Sequence, residues 1–173
     1  MYIHPSFKCV FPYLFEGANL NGADYNGNTP LLLLLNFQAL RLETRGNDFS
    51  WRIMRMSSMM DLITLMVNKG VDVRARHTNS HVTALHKAAR CEDEVMGRSL
   101  VKLLLERYRY VYIYFDGRVV IQTYKHTHIH SGADPNVEDL RGITPLFFAE
   151  HKECALLLVK YGANIYTTAH STW

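Results

Sequence analysis

The chain has 173 residues, 48% of them hydrophobic, enough to bury one compact domain or a short stack of repeats. Nineteen basic residues against sixteen acidic ones leave a formal charge of +3, too balanced for the clustered basic face that nucleic-acid binding requires. The three cysteines, Cys9, Cys91 and Cys154, show no metal-ligand spacing and read as free thiols in a reducing compartment.

Taken in order, the first thirteen residues contain Pro5 and Pro12 and lack a basic region followed by a long apolar run, so no signal peptide is predicted. Residues 10–19 read as the end of a helix closed by the turn Gly17-Ala18-Asn19. Gly27-Asn28-Thr29-Pro30-Leu31 then opens a helix, with a threonine to cap it and a proline at its first position. The leucine run 31–35 is far too short to span a bilayer, and no membrane insertion is expected. The distance from Thr29 to Gly70 is long, with the excess around 41–58, where Arg45, Trp51, Arg52 and Arg55 lie. That stretch reads as an excursion touching a partner, as a floppy insertion, or as a helix extended through 54–66.

A second unit follows. Gly70-Val71-Asp72 is its turn and Thr83-Ala84-Leu85-His86-Lys87-Ala88-Ala89 its first helix. From Gly17 to Thr29 is 12 residues, from Gly132 to Thr144 also 12, and from Gly70 to Thr83 13, so this hairpin carries one extra residue. The acidic trio Glu92-Asp93-Glu94 could cap the next helix, but plain surface is the preferred reading. A second apolar helix runs from Leu100 to Tyr108.

Residues 109–131 interrupt the pattern, and three readings compete. Alternating Tyr110, Tyr112 and Tyr114, then Asp116-Gly117, then Val119-Val120-Ile121, is a β-hairpin signal. His126, His128 and His130 alternate and would face one side of a strand, where they could hold a metal, but such tracts are compositional evidence only. Alternating Tyr/Ile and His/Thr pairs are also what TA and CA dinucleotide repeats encode, so the insert reads as translated intron-like sequence. A finding that all transcripts from healthy tissue retain the segment would count against this.

The third unit is the cleanest. Gly132-Ala133-Asp134 is its turn. Thr144 and Pro145 start a helix with Leu146, Phe147 and Ala149 on its apolar face. Cys154 to Val159 is a second apolar helix, Lys160 suits its C-terminal end, and Gly162 stops it. The turn Gly162-Ala163-Asn164 places the next capping threonine at a position just past Trp173, so the array is expected to continue or to need a partner there.

A repeated turn-to-helix spacing is the mark of a repeat array. The motifs Thr83-x-Leu85-His86-x-Ala88 and Gly132-Ala133-Asp134-x-Asn136-x-x-Asp139-x-x-Gly142-x-Thr144-Pro145-Leu146 closely resemble the ankyrin repeat family. The resemblance implies an all-α helical solenoid with projecting β-hairpin turns and two long insertions. Its divisions are 1–26 (partial repeat and hairpin), 27–78 (insertion at about 41–58), 79–141 (insertion at 109–131) and 142–173 (truncated at the next hairpin). By the same resemblance His86 hydrogen-bonds neighbouring hairpins and is structural.

The function implied is that of a non-catalytic protein–protein interaction module, a scaffold or adaptor that is a fragment or isoform of a longer protein. The alternative is a docking segment of a larger enzyme, ubiquitin-ligase adaptor or channel. Contact residues at the hairpin tips would be Tyr25, Asn26 and Asn28; Arg76, His77, Asn79 and His81; and Glu138, Leu140 and Arg141. No phosphate-cradling loop, His-Glu-x-x-His or Gly-x-Ser-x-Gly occurs, and the histidines outside 109–131 are scattered over different units, so an enzyme is not expected. No cofactor, metal or nucleic acid is expected, only another protein as partner, in the cytoplasm or the nucleus.

Overall fold

The computed structural model describes residues 19–36, 49–106, 108–115, 118–125 and 132–167. Its helices are α1 (Pro30–Leu34), α2 (Phe49–Asn68), α3 (Ala84–Ala89), α4 (Glu94–Leu105), a 3₁₀ helix (Pro145–Phe148) and α5 (Lys152–Lys160). They lie in two rows. α1, α3 and the 3₁₀ helix contact one another in sequence, and α2, α4 and α5 do the same beside them. Across the rows, α1 meets α2, α3 meets α4 and the 3₁₀ helix meets α5. One hydrophobic core runs through all of them, from Leu31 and Leu32 through Leu62, Ile63, Leu85, Leu100 and Leu104 to Cys154 and Leu158. Each fully buried leucine contributes roughly 1.5–3 kcal/mol. No short helix could be stable without that burial.

The helix starts follow local chemistry. The Thr29 hydroxyl accepts from the Leu32 N–H, and Pro30 stands at the first helical position. At α3 the cap is reciprocal: Thr83 and His86 form a capping box in which His86 stands where glutamate or glutamine is usual. Asp93, read as surface, is the N-cap of α4, its carboxylate accepting from the Met96 N–H at 2.9 Å. Thr144 stands at the N-cap position of the 3₁₀ helix, as read, but its side chain makes no cap bond. Its hydroxyl is buried without a hydrogen bond. The turn after it is wound tightly, so the Phe147 N–H that a cap would take is bonded to the Thr144 carbonyl at 3.1 Å. Phe147 consequently points outward, 52% exposed, rather than joining the apolar face.

Residues 49–58, which read as an excursion, a floppy insertion or part of an extended helix, belong to α2, which starts five residues before the helix through 54–66 that was one of those readings. The stretch from Phe49 to Asn68 holds no proline or glycine and is rich in methionine and leucine, so nothing stops the helix there. The remainder, 37–48, lies outside the described residues.

Second helices close in one way. The Val71 N–H returns to the Met66 carbonyl at 3.1 Å, Ala133 to Leu104 at 2.8 Å and Ala163 to Leu158 at 2.9 Å. Gly70 and Gly162 sit before two of these bonds with φ of +88° and +95°, in the left-handed region. The match of Leu104 with Met66 and Leu158 makes 108–131 the added stretch, beginning one residue earlier than the sequence register. Within it β1 (Tyr108–Phe115) pairs antiparallel with β2 (Arg118–Lys125), Tyr108 opposite Lys125 and Phe115 opposite Arg118. That is the hairpin reading. Besides this pair, the described residues contain only an isolated bridge between Arg76 and Thr83. The histidines at 126, 128 and 130 lie outside the described residues.

Candidate interaction surface

Three turns precede α1, α3 and the 3₁₀ helix, and each is built from side chains that satisfy its own backbone. At the base, Asn19, Asp72 and Asp134 each accept the N–H two residues on, at 2.9–3.0 Å, and Asn164, after α5, does the same. Such side-chain turns hold a bend without a regular hydrogen-bond ladder. At the tip, Asp24 accepts from the N–H groups of Asn26 and Asn28 and from the Asn28 side-chain amide. Those bonds, the Asn28 amide first, hold its carboxyl below the usual range. Asp139 repeats the device, accepting from the Arg141 and Ile143 N–H groups and pairing with the Arg141 guanidinium at 3.3 Å. Burial pushes the Asp139 carboxyl up, but the Ile143 and Arg141 donors outweigh it and the net shift is downward.

The middle tip solves the same problem with different residues. His77 stands where the other tips have aspartate, and its N–H bonds to the Val82 carbonyl as Asp24 bonds to Asn28 and Asp139 to Ile143. Its ring meets the Ser80 hydroxyl at 3.0 Å. The extra residue is absorbed at His81, whose φ of +55° takes the place of Gly27 (+77°) and Gly142 (+70°). A histidine with positive φ is uncommon.

The three turns are joined. The Thr78 N–H bonds to the Asn26 carbonyl at 3.2 Å, and the Leu140 N–H to the Ser80 carbonyl at 3.0 Å. At the bases, Asn21 accepts from the Asp72 N–H, Arg74 donates to the Gly132 carbonyl, and Asn136 both donates to Gly162 and accepts from Asn164. Gly27 is required for the close approach of the first pair, since a Cβ there would overlap the Thr78 hydroxyl.

His86 ties the second unit to the third. Its Nδ1 accepts the Thr83 N–H at 3.2 Å, so the proton sits on Nε2, which donates to the Ile143 carbonyl at 3.0 Å. Its ring also meets Phe148 edge-on at 5.6 Å. Burial lowers its pKa, outweighing the bond to Ile143. The ring is therefore a neutral structural clamp.

The ten predicted contact residues occupy this row of turns, but not equally. Tyr25 (94% exposed) and Leu140 (58%) are apolar and free to meet a partner. Asn79 and Glu138 are exposed beside them. Asn28, His77 and Arg141 are engaged in holding their own turns, Asn26 and His81 are half-buried, and Arg76 donates to the Glu138 carbonyl at 3.4 Å. Asp24, Thr78 and Ser80 were not selected from the sequence, although Asp24-x-x-Gly27 matches Asp139-x-x-Gly142 and could have drawn attention to Asp24. A groove of about 550 Å³ lies between the second and third turns, lined by Arg74, Arg76, Pro135, Val137 and the ends of the second helices.

Among the described residues no group of histidines, cysteines and carboxylates could hold a metal ion, and no helix is long and apolar enough to cross a membrane. Cys91 and Cys154 are free thiols inside the core, and burial pushes Cys91 up to about 11. No protein-family model matches this chain, and no curated protein does.

Proposed function

We propose that this chain is a non-catalytic protein–protein interaction module of the ankyrin-repeat kind, in which consecutive turn–helix–helix units stack as a solenoid. The observation that carries the reading is the row of three turns, bonded tip to tip through Asn26–Thr78 and Ser80–Leu140. A binding surface gains affinity when it is ordered before the partner arrives. Here the backbone of the row is fixed by its own side chains, while Tyr25, Asn79, Glu138 and Leu140 remain outward. An exposed tyrosine on a rigid frame is the kind of residue that anchors such contacts, and Leu140 adds apolar area beside it. The partner is another protein, and the compartment is the cytoplasm or nucleus.

The test is comparative capture. The chain and a variant carrying Tyr25→Ala and Leu140→Asp, which alter only exposed side chains, are matched for circular dichroism and melting temperature. They are then used to recover proteins from cell extract. A protein retained by the parent and lost by the variant supports the reading. Identical recovery by both would refute the hairpin row as the contact surface.

A further inference from the structure

Two of the joins between turn bases use an asparagine, and the one between them does not. Asn21, Arg74 and Asn136 are equivalent, since each gives its N–H to the base residue two positions earlier: Asn19, Asp72 and Asp134. At the outer joins the asparagine amide oxygen accepts the N–H of the next base residue. Asn21 takes that of Asp72 at 2.7 Å, and Asn136 takes that of Asn164 at 2.7 Å. Asn136 also donates to the Gly162 carbonyl. At the middle join Arg74 repeats only the donation, to the Gly132 carbonyl at 3.3 Å. A guanidinium has five donors and no acceptor, so Arg74 cannot take the Asp134 N–H. No acceptor among the described residues takes it. Arg74, Arg76 and Asp134 all line the groove of about 550 Å³ between the second and third turns. Arg76 gives one N–H to the Glu138 carbonyl at 3.4 Å. Both arginines are exposed, and neither forms an ion pair among the described residues. Asp134 already holds the Asn136 N–H with one carboxylate oxygen, so two positive charges line the groove against one negative.

We propose that this groove takes a glutamate or aspartate side chain from an acidic segment of the partner protein. The carboxylate supplies the acceptor that asparagine supplies at the other two joins. It accepts the Asp134 N–H and the N–H groups of Arg74 left over from the bond to Gly132, with Arg76 adding positive charge beside it. A carboxylate is favoured over a neutral amide for two reasons. Hydrogen bonds between ionised groups are stronger than neutral ones. The two guanidiniums also outnumber the one lining carboxylate, so the groove is complementary to an anion. The proposal rests on the interaction-module reading and names the chemistry of its partner.

Fluorescence anisotropy with a labelled peptide of alternating serine and glutamate reads the binding, with the serine–glutamine peptide as its control. The glutamate peptide should bind with a Kd below about 1 mM. The glutamine peptide should bind roughly tenfold more weakly, and added salt should loosen the glutamate peptide. Arg74→Asn restores the residue found at the other two joins. It should abolish binding while the melting temperature holds or rises, because its amide oxygen can take the Asp134 N–H. Arg76→Ala should weaken binding roughly tenfold. No binding by the parent, equal binding of the two peptides, or binding that survives Arg74→Asn overturns the proposal. A clear fall in the melting temperature of Arg74→Asn overturns it too, since the missing acceptor would then not explain the join. Extract capture that still depends on Tyr25 and Leu140 in any of these cases removes the acidic partner and leaves the interaction module standing.

Discussion

His86 gives the sharpest test of the physical argument. Its ring is buried, neutral and bonded at both nitrogens, to Thr83 within its own unit and to Ile143 in the next. Its folded pKa lies below the ordinary 6.5 because burial penalises the cation. The unfolded chain therefore binds a proton more readily than the folded one. Stability is fully present above about pH 6.5 and falls as the pH drops from there through the folded pKa. One proton taken up on unfolding corresponds to a slope of at most about 1.4 kcal/mol per pH unit. His86→Gln removes the titration but keeps a side chain that completes a capping box with Thr83. It loses the bond to Ile143, at a cost of about 1 kcal/mol near pH 7. The cost stays modest because the Ile143 carbonyl still accepts from the Asp139 N–H at 2.9 Å. Urea unfolding of both proteins between about pH 5 and pH 8 decides it, since the other histidines cancel in the difference. The parent should lose stability toward pH 5 faster than the variant, so the gap between them narrows or reverses. Parallel curves would refute the buried neutral clamp.

Gly27→Ala should destabilise clearly more than Gly162→Ala in thermal melts. Both place a side chain at positive φ, about 1–2 kcal/mol, but only at Gly27 would the new Cβ strike Thr78, 2.5 Å from its backbone nitrogen, whereas nothing lies within 4 Å at Gly162; equal losses would mean the first two turns are not in close contact. Asp93→Ala should cost about 1 kcal/mol by removing the cap on α4, against a few tenths for the exposed Glu94→Gln, and equal effects in urea titrations would return Asp93 to plain surface. Deleting residues 108–131 should leave the helical circular dichroism intact and the melting midpoint no lower, and a clear drop would show that β1, which touches α2, contributes buried area the helices need.

The parts of the fold legible in sequence were those set by short-range chemistry. Thr29-Pro30 opens a helix because a hydroxyl and a pre-set φ act within one turn. Gly162 ends one because its φ of +95° is cheap for glycine alone. The extra residue before Thr83 was countable, but its resolution at His81 was not, since a histidine at positive φ is chosen by the surrounding turn. A helix through 54–66 was one of three readings and α2 contains it, but its start at Phe49 was not legible, because a charged, tryptophan-containing stretch reads equally as loop or helix without knowledge of its neighbours. Thr144 misled for the opposite reason. Its motif is complete, but whether a cap bond forms depends on how tightly the next turn winds. On the candidate surface, sequence located the row of turns, but could not separate Tyr25 and Leu140, which point outward, from Asn28 and Arg141, which hold the turns together.

The insertion of 108–131 shows what the units depend on. It enters where α4 ends and leaves just before Ala133, and the Ala133 N–H still reaches the Leu104 carbonyl at 2.8 Å. The residues that flank the added stretch, Leu104 and Ala133, are therefore held as close together as Leu158 and Ala163 are in the uninterrupted turn. A longer connection costs little extra closure entropy, which grows only with the logarithm of its length. Among the described residues, the bonds that join one turn to the next lie outside the added stretch. Arg74 still donates to Gly132, Leu140 to Ser80, and His86 to Ile143. The described contacts between neighbouring turns and helices thus flank the insertion, and the row of turns accommodates the added stretch beside it.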